Sequence, residues 1–156
     1  MLSRSYCDVR NRYFINHCVR VFAAILAGGV FWGCAARGPQ FAPKIVGPER
    51  AVAYVYRPSS WETHDGPLWF YAEGIYLNGK HAGDLHRFGY LALELDPGPV
   101  HILDSERNNV TFTAEPGKTY FIRYSWKSGL RTVMPQLTMM EPEVGAREIV
   151  GCRYSE

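Results

Sequence analysis

An all-β fold, an antiparallel β-sandwich of about seven or eight short strands, is the architecture this sequence predicts for residues 50–156. Three observations carry the prediction. Short runs rich in β-branched and aromatic residues recur from residue 51 onward. Turn dipeptides stand between them, at Asn78-Gly79, Pro97-Gly98 and Pro116-Gly117. Counted over all the short runs, and not over these three dipeptides alone, breaks fall about every 8–12 residues, which is sandwich spacing.

Residues 51–56 (Ala-Val-Ala-Tyr-Val-Tyr) are strand formers and stop at Arg57-Pro58, where proline removes the amide a ladder needs. Residues 75–77 and 80–85 flank Asn78-Gly79, the strongest local hairpin signal, because both central residues of that turn must take positive φ. Residues 89–95 alternate through Leu91, Leu93 and Leu95 and run into Asp96-Pro97-Gly98. Residues 100–103 and 110–113 are the next two strands, and Pro97-Gly98 and Pro116-Gly117 are expected to close hairpins. Residues 118–126 place Tyr120, Ile122 and Tyr124 on one face, with both tyrosines in the core. Residues 132–139 carry Pro135 and are expected at a sheet edge. Residues 141–148 read as a short helical turn, and 149–154 as a last strand.

Ahead of this body lies a different kind of segment. Arg4, Arg10, Arg12 and Arg20, against the single acid Asp8, precede an apolar run over residues 21–33 that ends at Gly33-Cys34. That run falls short of the ~20 apolar residues a spanning helix needs and fits a signal h-region of about 7–15. The segment 1–33 therefore reads as a lipoprotein-type signal peptide, an N-terminal signal or anchor helix cut before Cys34, with lipid attached to that cysteine. An uncleaved anchor and an ordinary signal cut near Ala36 are the alternatives. Phe31 and Trp32 are bulkier than the Leu-(Ala/Ser)-(Gly/Ala)-Cys pattern of such signals. Residues 34–49, with Gly38, Pro39, Pro43, Gly47 and Pro48, read as a flexible tether.

The cut changes the charge. Residues 1–33 hold four of the 17 basic and one of the 15 acidic residues, so the remainder carries 13 and 14, a net of −1. No basic stripe remains, which argues against nucleic acid as a partner. Of the cysteines, Cys7 and Cys18 leave with the signal, Cys34 is acylated, and Cys152 stays as a lone thiol, read as a small buried hydrophobe, with an intermolecular bridge as the alternative.

Several stretches in order resemble a family of small bacterial lipoprotein domains of unknown function, related in look to PEGA-type sandwiches. They are Tyr54-Val55-Tyr56-Arg57-Pro58, Tyr76-Leu77-Asn78-Gly79-Lys80, Gly83-Asp84-Leu85 and Gly89-Tyr90-Leu91. They continue with Pro97-Gly98-Pro99-Val100-His101, Gly117-Lys118-Thr119-Tyr120-Phe121-Ile122-Arg123, Ala146-Arg147-Glu148-Ile149 and Cys152-Arg153. The resemblance spans about residues 50–154 and implies an all-β, envelope-facing lipoprotein with no catalytic residues.

The residues themselves offer little chemistry. His81, Asp84 and His86 flank a tight hairpin with 81 and 86 an odd number apart, so they point to opposite faces, and His64-Asp65 stands alone; neither a metal nor a cofactor is expected. Ser105, His101 and Asp104 lack the context of a nucleophile elbow. Glu94 and Asp96 share one strand face, where paired carboxylates serve glycoside hydrolysis but water-facing strand carboxylates are ordinary. The candidate binding residues are Trp61, in the aromatic stretch up to Tyr71, and Arg57 at a strand end. Arg57 either anchors an acidic partner or a ligand, or it caps strand-end carbonyls or pairs with Glu94 or Glu148. Trp69 and Tyr71 are expected to begin the strand that continues to Leu77, burying one face.

The function that follows is a non-enzymatic binding or structural module, lipid-anchored through Cys34 in a bacterial envelope. Its partner class is an envelope protein or a cell-wall glycan. Ala35, rather than Asp, after the cysteine directs it to the periplasmic face of the outer membrane. The alternative is a periplasmic hydrolase on a sandwich, using Glu94 or Cys152. An enzyme would show convergent polar groups in a pocket, and a binding module an exposed aromatic patch.

Overall fold

The computed structural model describes residues 35–58, 71–128 and 133–155. Among them are nine strands: β1 (Ala51–Tyr56), β2 (Glu73–Leu77), β3 (Lys80–Leu85), β4 (Gly89–Leu95), β5 (Gly98–Asp104), β6 (Asn109–Ala114), β7 (Thr119–Ser128), β8 (Val133–Met140) and β9 (Arg153–Tyr154). One helix, α1 (Pro142–Glu148), and a 3-10 turn (Ile149–Gly151) separate β8 from β9. The strands form two sheets, ordered β8-β7-β1-β4-β9 and β3-β2-β5-β6.

The pairing is not wholly antiparallel. β1 pairs with β4 antiparallel but with β7 parallel, and β4 pairs with β9 parallel. All six residues of β1 are buried. A strand in the middle of a sheet covered on both faces has no polar side, so Ala-Val-Ala-Tyr-Val-Tyr carries no alternation. The second sheet is antiparallel throughout.

Asn78 and Gly79 take φ of 50° and 81° and join β2 to β3 in a two-residue hairpin, as their chemistry requires. The two Pro-Gly turns do something else. Pro97-Gly98 leads from β4 in the first sheet to β5 in the second, and Pro116-Gly117 leads from β6 back to β7. They are corners between sheets and close no hairpin. The local backbone reversal is the same in both cases; which sheet the next strand joins is decided by distant partners. β8 lies at an edge, where the missing amide of Pro135 interrupts no ladder on its outer side.

One core fills the space between the sheets. Ala51, Ala53, Val55, Leu91, Leu93, Leu95, Ile122, Tyr124 and Leu137 from the first sheet meet Ile75, Leu85, Val100, Ile102 and Ala114 from the second. Tyr120 packs at its margin. A second cluster lies on the outer face of the first sheet: Val52, Tyr54, Tyr56, Tyr90 and Phe121, covered by Ile149 and Cys152, with Phe41, Val46 and Met140 around them.

Residues 149–154 are thus only in part the expected strand. The 3-10 turn brings Ile149 and Cys152 down onto that outer face, and only Arg153 and Tyr154 pair with β4. The expected helical turn is present as α1, which opens on Pro142 with an acid, Glu143, in its first turn.

Candidate functional site

The structure gives the segment after Cys34 a place on the body. Ala36 donates its amide to the Arg87 carbonyl at 3.0 Å, Gly38 to Tyr154 at 3.1 Å and Phe41 to Cys152 at 3.0 Å, while Tyr154 donates back to Pro39 at 2.8 Å. Ala35 bridges Arg87 and Gln40 bridges Arg153. The Phe41 ring sits edge-on between Tyr54 and Tyr90, at 5.1 and 5.3 Å. Four backbone bonds and a half-buried phenylalanine fasten residues 35–41 to the body, within the segment 34–49 read from composition as a flexible tether. The signal in the sequence was slight: Phe41 is the one large apolar side chain among residues 35–41. Farther on, Lys44 donates its amide to the Tyr54 hydroxyl oxygen at 2.6 Å, and Ile45 stands 97% exposed.

Cys34 and Trp61 lie outside the described residues, as do His64, Asp65 and Trp69. Tyr71 is 69% exposed and β2 begins only at Glu73, so Tyr71 neither starts that strand nor buries a face.

Arg57 is 1% exposed. Its amide donates to the Gly89 carbonyl at 2.9 Å, its Nη1 to the Tyr71 carbonyl at 3.2 Å, and its guanidinium carbon stands 5.6 Å from the Tyr124 ring centre. Tyr124 in turn donates to Glu73 Oε2 at 3.2 Å, and the other oxygen of Glu73 accepts the Ser105 amide at 3.0 Å. Burial first, then the charge of Glu73, pushes the Tyr124 hydroxyl well above its ordinary pKa. This polar column ties β1, β7 and β2 at one end of the core. Glu94 and Glu148 have other partners. A contact between Arg57 and an outside ligand would require its cover to open.

Glu94 and Asp96 do share a face, but both carboxylates are occupied. Lys44 Nζ lies 2.7 Å from Glu94, and Arg50 reaches Glu94 at 2.9 Å with one nitrogen and Asp96 at 3.1 Å with the other. The register explains the fork: Ala51 pairs with Leu95, which sets Arg50 opposite Asp96. The Lys44 ammonium, hydrogen-bonded to Glu94, holds that carboxyl below its usual range, and Arg50 adds to the effect.

His81 and Asp84 meet at 2.9 Å although they are three residues apart on one strand. A bulge in β3 accounts for it. Gly83 pairs with Ile75 and His81 with Tyr76, so Ala82 is an extra residue and the alternation resets. A parity argument across this strand therefore does not hold. His86 Nδ1 contacts the Asp84 carbonyl instead, at 3.1 Å. Among the described residues no three His, Cys, Asp or Glu side chains are grouped to hold a metal ion. Asp104 is buried and bound by Asn108 through both oxygens at 2.8 Å, closing the β5–β6 turn, and Ser105 contacts Gly74 at 3.4 Å, so neither is aligned with His101.

Cys152 is a buried thiol, 3.7 Å from the Arg57 carbonyl it donates to. Burial, with Glu148 nearby, pushes it up to about 12, which leaves no thiolate near neutrality. Burial likewise keeps it from bridging to a second chain. Glu148 itself anchors α1, accepting from Tyr56 at 2.7 Å and from Arg123 at 3.1 Å. No helix among the described residues is long and apolar enough to cross a membrane.

These observations define a small two-sheet β-domain whose charged and nucleophilic groups are largely engaged in holding its own elements together. A family model described as a protein of unknown function, DUF2846, matches residues 48–136, more than half of the chain, and the chain belongs to that family. No curated protein and no solved structure matches it.

Proposed function

We propose that this chain is a lipid-anchored bacterial envelope protein, exported by residues 1–33, cut before Cys34 and held by lipid on that cysteine. In this reading the body is a small PEGA-like sandwich that works as a non-enzymatic binding or structural module on the periplasmic face of the outer membrane. The observation that carries the reading is the basic flank followed by the apolar run over residues 21–33 and Gly33-Cys34. The module side of the reading draws support from the carboxylates of Glu94 and Asp96, tied up by Lys44 and Arg50, and from the inaccessible thiol of Cys152.

The test is metabolic labelling with a clickable fatty acid, comparing wild type with Cys34→Ala. The expected outcome is label on the wild type only, on a chain whose mass has lost residues 1–33. A full-length, unlabelled chain retained in the membrane overturns the proposal.

A further inference from the structure

We propose that β6 is the strand through which two copies of this chain join, antiparallel about a two-fold axis at Thr111, so that the second sheet runs on from one copy into the other. β6 is the last strand of that sheet. The Asn78 amide donates to the His101 carbonyl at 2.8 Å, and the His101 amide donates to Asn78 Oδ1 at 2.8 Å, so the polar backbone of His101 points away from β6. The Asp104 amide donates to the Asn108 carbonyl at 3.0 Å, on the side of β6. Backbone direction alternates along an antiparallel strand. Val100 and Ile102 therefore bond to Phe112 and Val110, while Asn109, Thr111 and Thr113 turn their N–H and C=O groups to the open edge. All three residues are exposed.

Sheet edges are usually guarded against a second chain by charge, proline, a bulge or brevity. Among the described residues the other edges carry such guards: Pro135 in β8, Lys80, Asp84 and the bulge at Ala82 in β3, and a length of two residues in β9. β6, Asn-Val-Thr-Phe-Thr-Ala, has none of these devices over its six residues. An edge left open in this way is a template for strand addition.

The strand's own sequence points to a second copy as the occupant. A two-fold at Thr111 sets Thr111 opposite the partner's Thr111, and Asn109 opposite the partner's Thr113. Every outward N–H then meets an outward C=O. The Thr113 carbonyl accepts from the Tyr120 hydroxyl at 3.2 Å and keeps a second lone pair for the partner. On the inner face Val110 comes opposite the partner's Phe112. Both are half-buried in the single chain, and pairs of an aromatic with a β-branched residue are favourable across strands. Continuing the register past the strand ends sets Arg107 opposite the partner's Glu115, twice by symmetry. Both side chains are exposed, and Glu115 meets Lys118 through one oxygen at 2.8 Å, which leaves the other for the arginine. Opposite charges at a rim fix register more than they add affinity. One strand from each copy buries well under the ~800 Å² per partner of a standard interface, so the association is weak and concentration-dependent.

The experiment uses the full chain, purified in detergent, with Cys7→Ser, Cys18→Ser and Cys34→Ser; Cys152 stays, being buried. To this background Asn109→Cys, Thr111→Cys or Thr113→Cys is added singly, disulfides are formed with copper phenanthroline, and dimer is read on a non-reducing gel. The Cα atoms of a hydrogen-bonded antiparallel pair stand about 5.5 Å apart, within disulfide reach, so Thr111→Cys should link to itself. Thr113→Cys lies four residues off register from its own symmetry mate, about 13 Å along the strand, and should not link, and the same holds for Asn109→Cys. An equimolar mixture of Asn109→Cys and Thr113→Cys should link, and this mixture carries the test if Thr111→Cys loses its β circular dichroism. In the Thr111→Cys chain, Arg107→Glu should lower the dimer yield by up to about fivefold for each of the two ion pairs, and Glu115→Arg added to it should restore the yield. Equal yields at the three single positions, no dimer from folded Thr111→Cys or from the mixture, or a yield indifferent to the charge swap overturns the inference.

Discussion

Gly145 should be the least replaceable residue of α1. It is the buried residue of that helix, and its Cα faces Phe121 on β7. A methyl built there would lie inside the contact envelope of the Phe121 Cβ and 2.5 Å from its Cγ. Carbon atoms settle at about 3.5–4.0 Å, so α1 must rise by about 1 Å, and a gap of that size forfeits a quarter to a half of each affected dispersion contact. Overpacking of this kind costs about 1–3 kcal/mol. Alanine recovers about 1 kcal/mol of helix propensity. The lift also strains the bonds from Tyr56 and Arg123 to Glu148, at the end of the same helix. The net expectation for Gly145→Ala is a loss of about 1–2 kcal/mol in urea unfolding at constant m-value. Gly151, which has nothing within 4 Å of a built Cβ, is the control, and Gly151→Ala should cost less than about 0.5 kcal/mol. A Gly145→Ala protein as stable as wild type would refute the close helix-on-sheet packing.

Two further outcomes follow from the same coordinates. The Cys152 thiol rises from 9.0 to about 12 on folding, so the unfolded chain releases this proton first as pH climbs; the stability it contributes is complete below pH 9 and is lost between 9 and 12. At pH 10.5 the loss is about 2 kcal/mol by linkage, Tyr56 and Tyr124 add losses of the same sign at higher pH, and a Cys152→Ala protein should show a flatter denaturation profile between pH 9 and 10.5; an unchanged slope speaks against a buried neutral thiol. Gly79 has φ of +81° and open space around it, so Gly79→Ala should cost about 1 kcal/mol from backbone strain alone, with the fold kept by circular dichroism, and no measurable loss would mean that the turn is not of the type its dihedrals define.

Much of this fold was legible because local chemistry dictates it. Asn78-Gly79 can hardly be anything but a tight hairpin, Pro135 belongs at an edge, and the alternation through Tyr120, Ile122 and Tyr124 names the inward face of β7. Sheet membership was not legible at Pro97-Gly98 and Pro116-Gly117, since a turn specifies reversal while partners far away in sequence specify the sheet. The parallel neighbour of β1 left one trace, the unbroken apolar run over residues 51–56, which marks a strand covered on both sides. The candidate site was harder to read. Paired carboxylates at Glu94 and Asp96 look like chemistry until the register sets Arg50 across from them. An arginine at a strand end looks like a surface anchor until the Tyr71 carbonyl and the Tyr124 ring close over it. The segment after Cys34 reads as a spacer by composition, and only its docking on β9 and the turn before β4 gives it a place.

The parallel contact between β1 and β7 also bears on when this protein can fold. The central strand of the first sheet is the first of the described strands to leave the ribosome, yet Ala53 must wait for Tyr120 and Val55 for Ile122. Closing so long a loop before any reward is slow, and it prevents the sheet from being zipped up hairpin by hairpin. For a chain threaded N-terminus first through a translocation channel, as proposed here, that delay is useful. The domain cannot lock while it is still in transit, and it assembles only when nearly all of it has reached the far side.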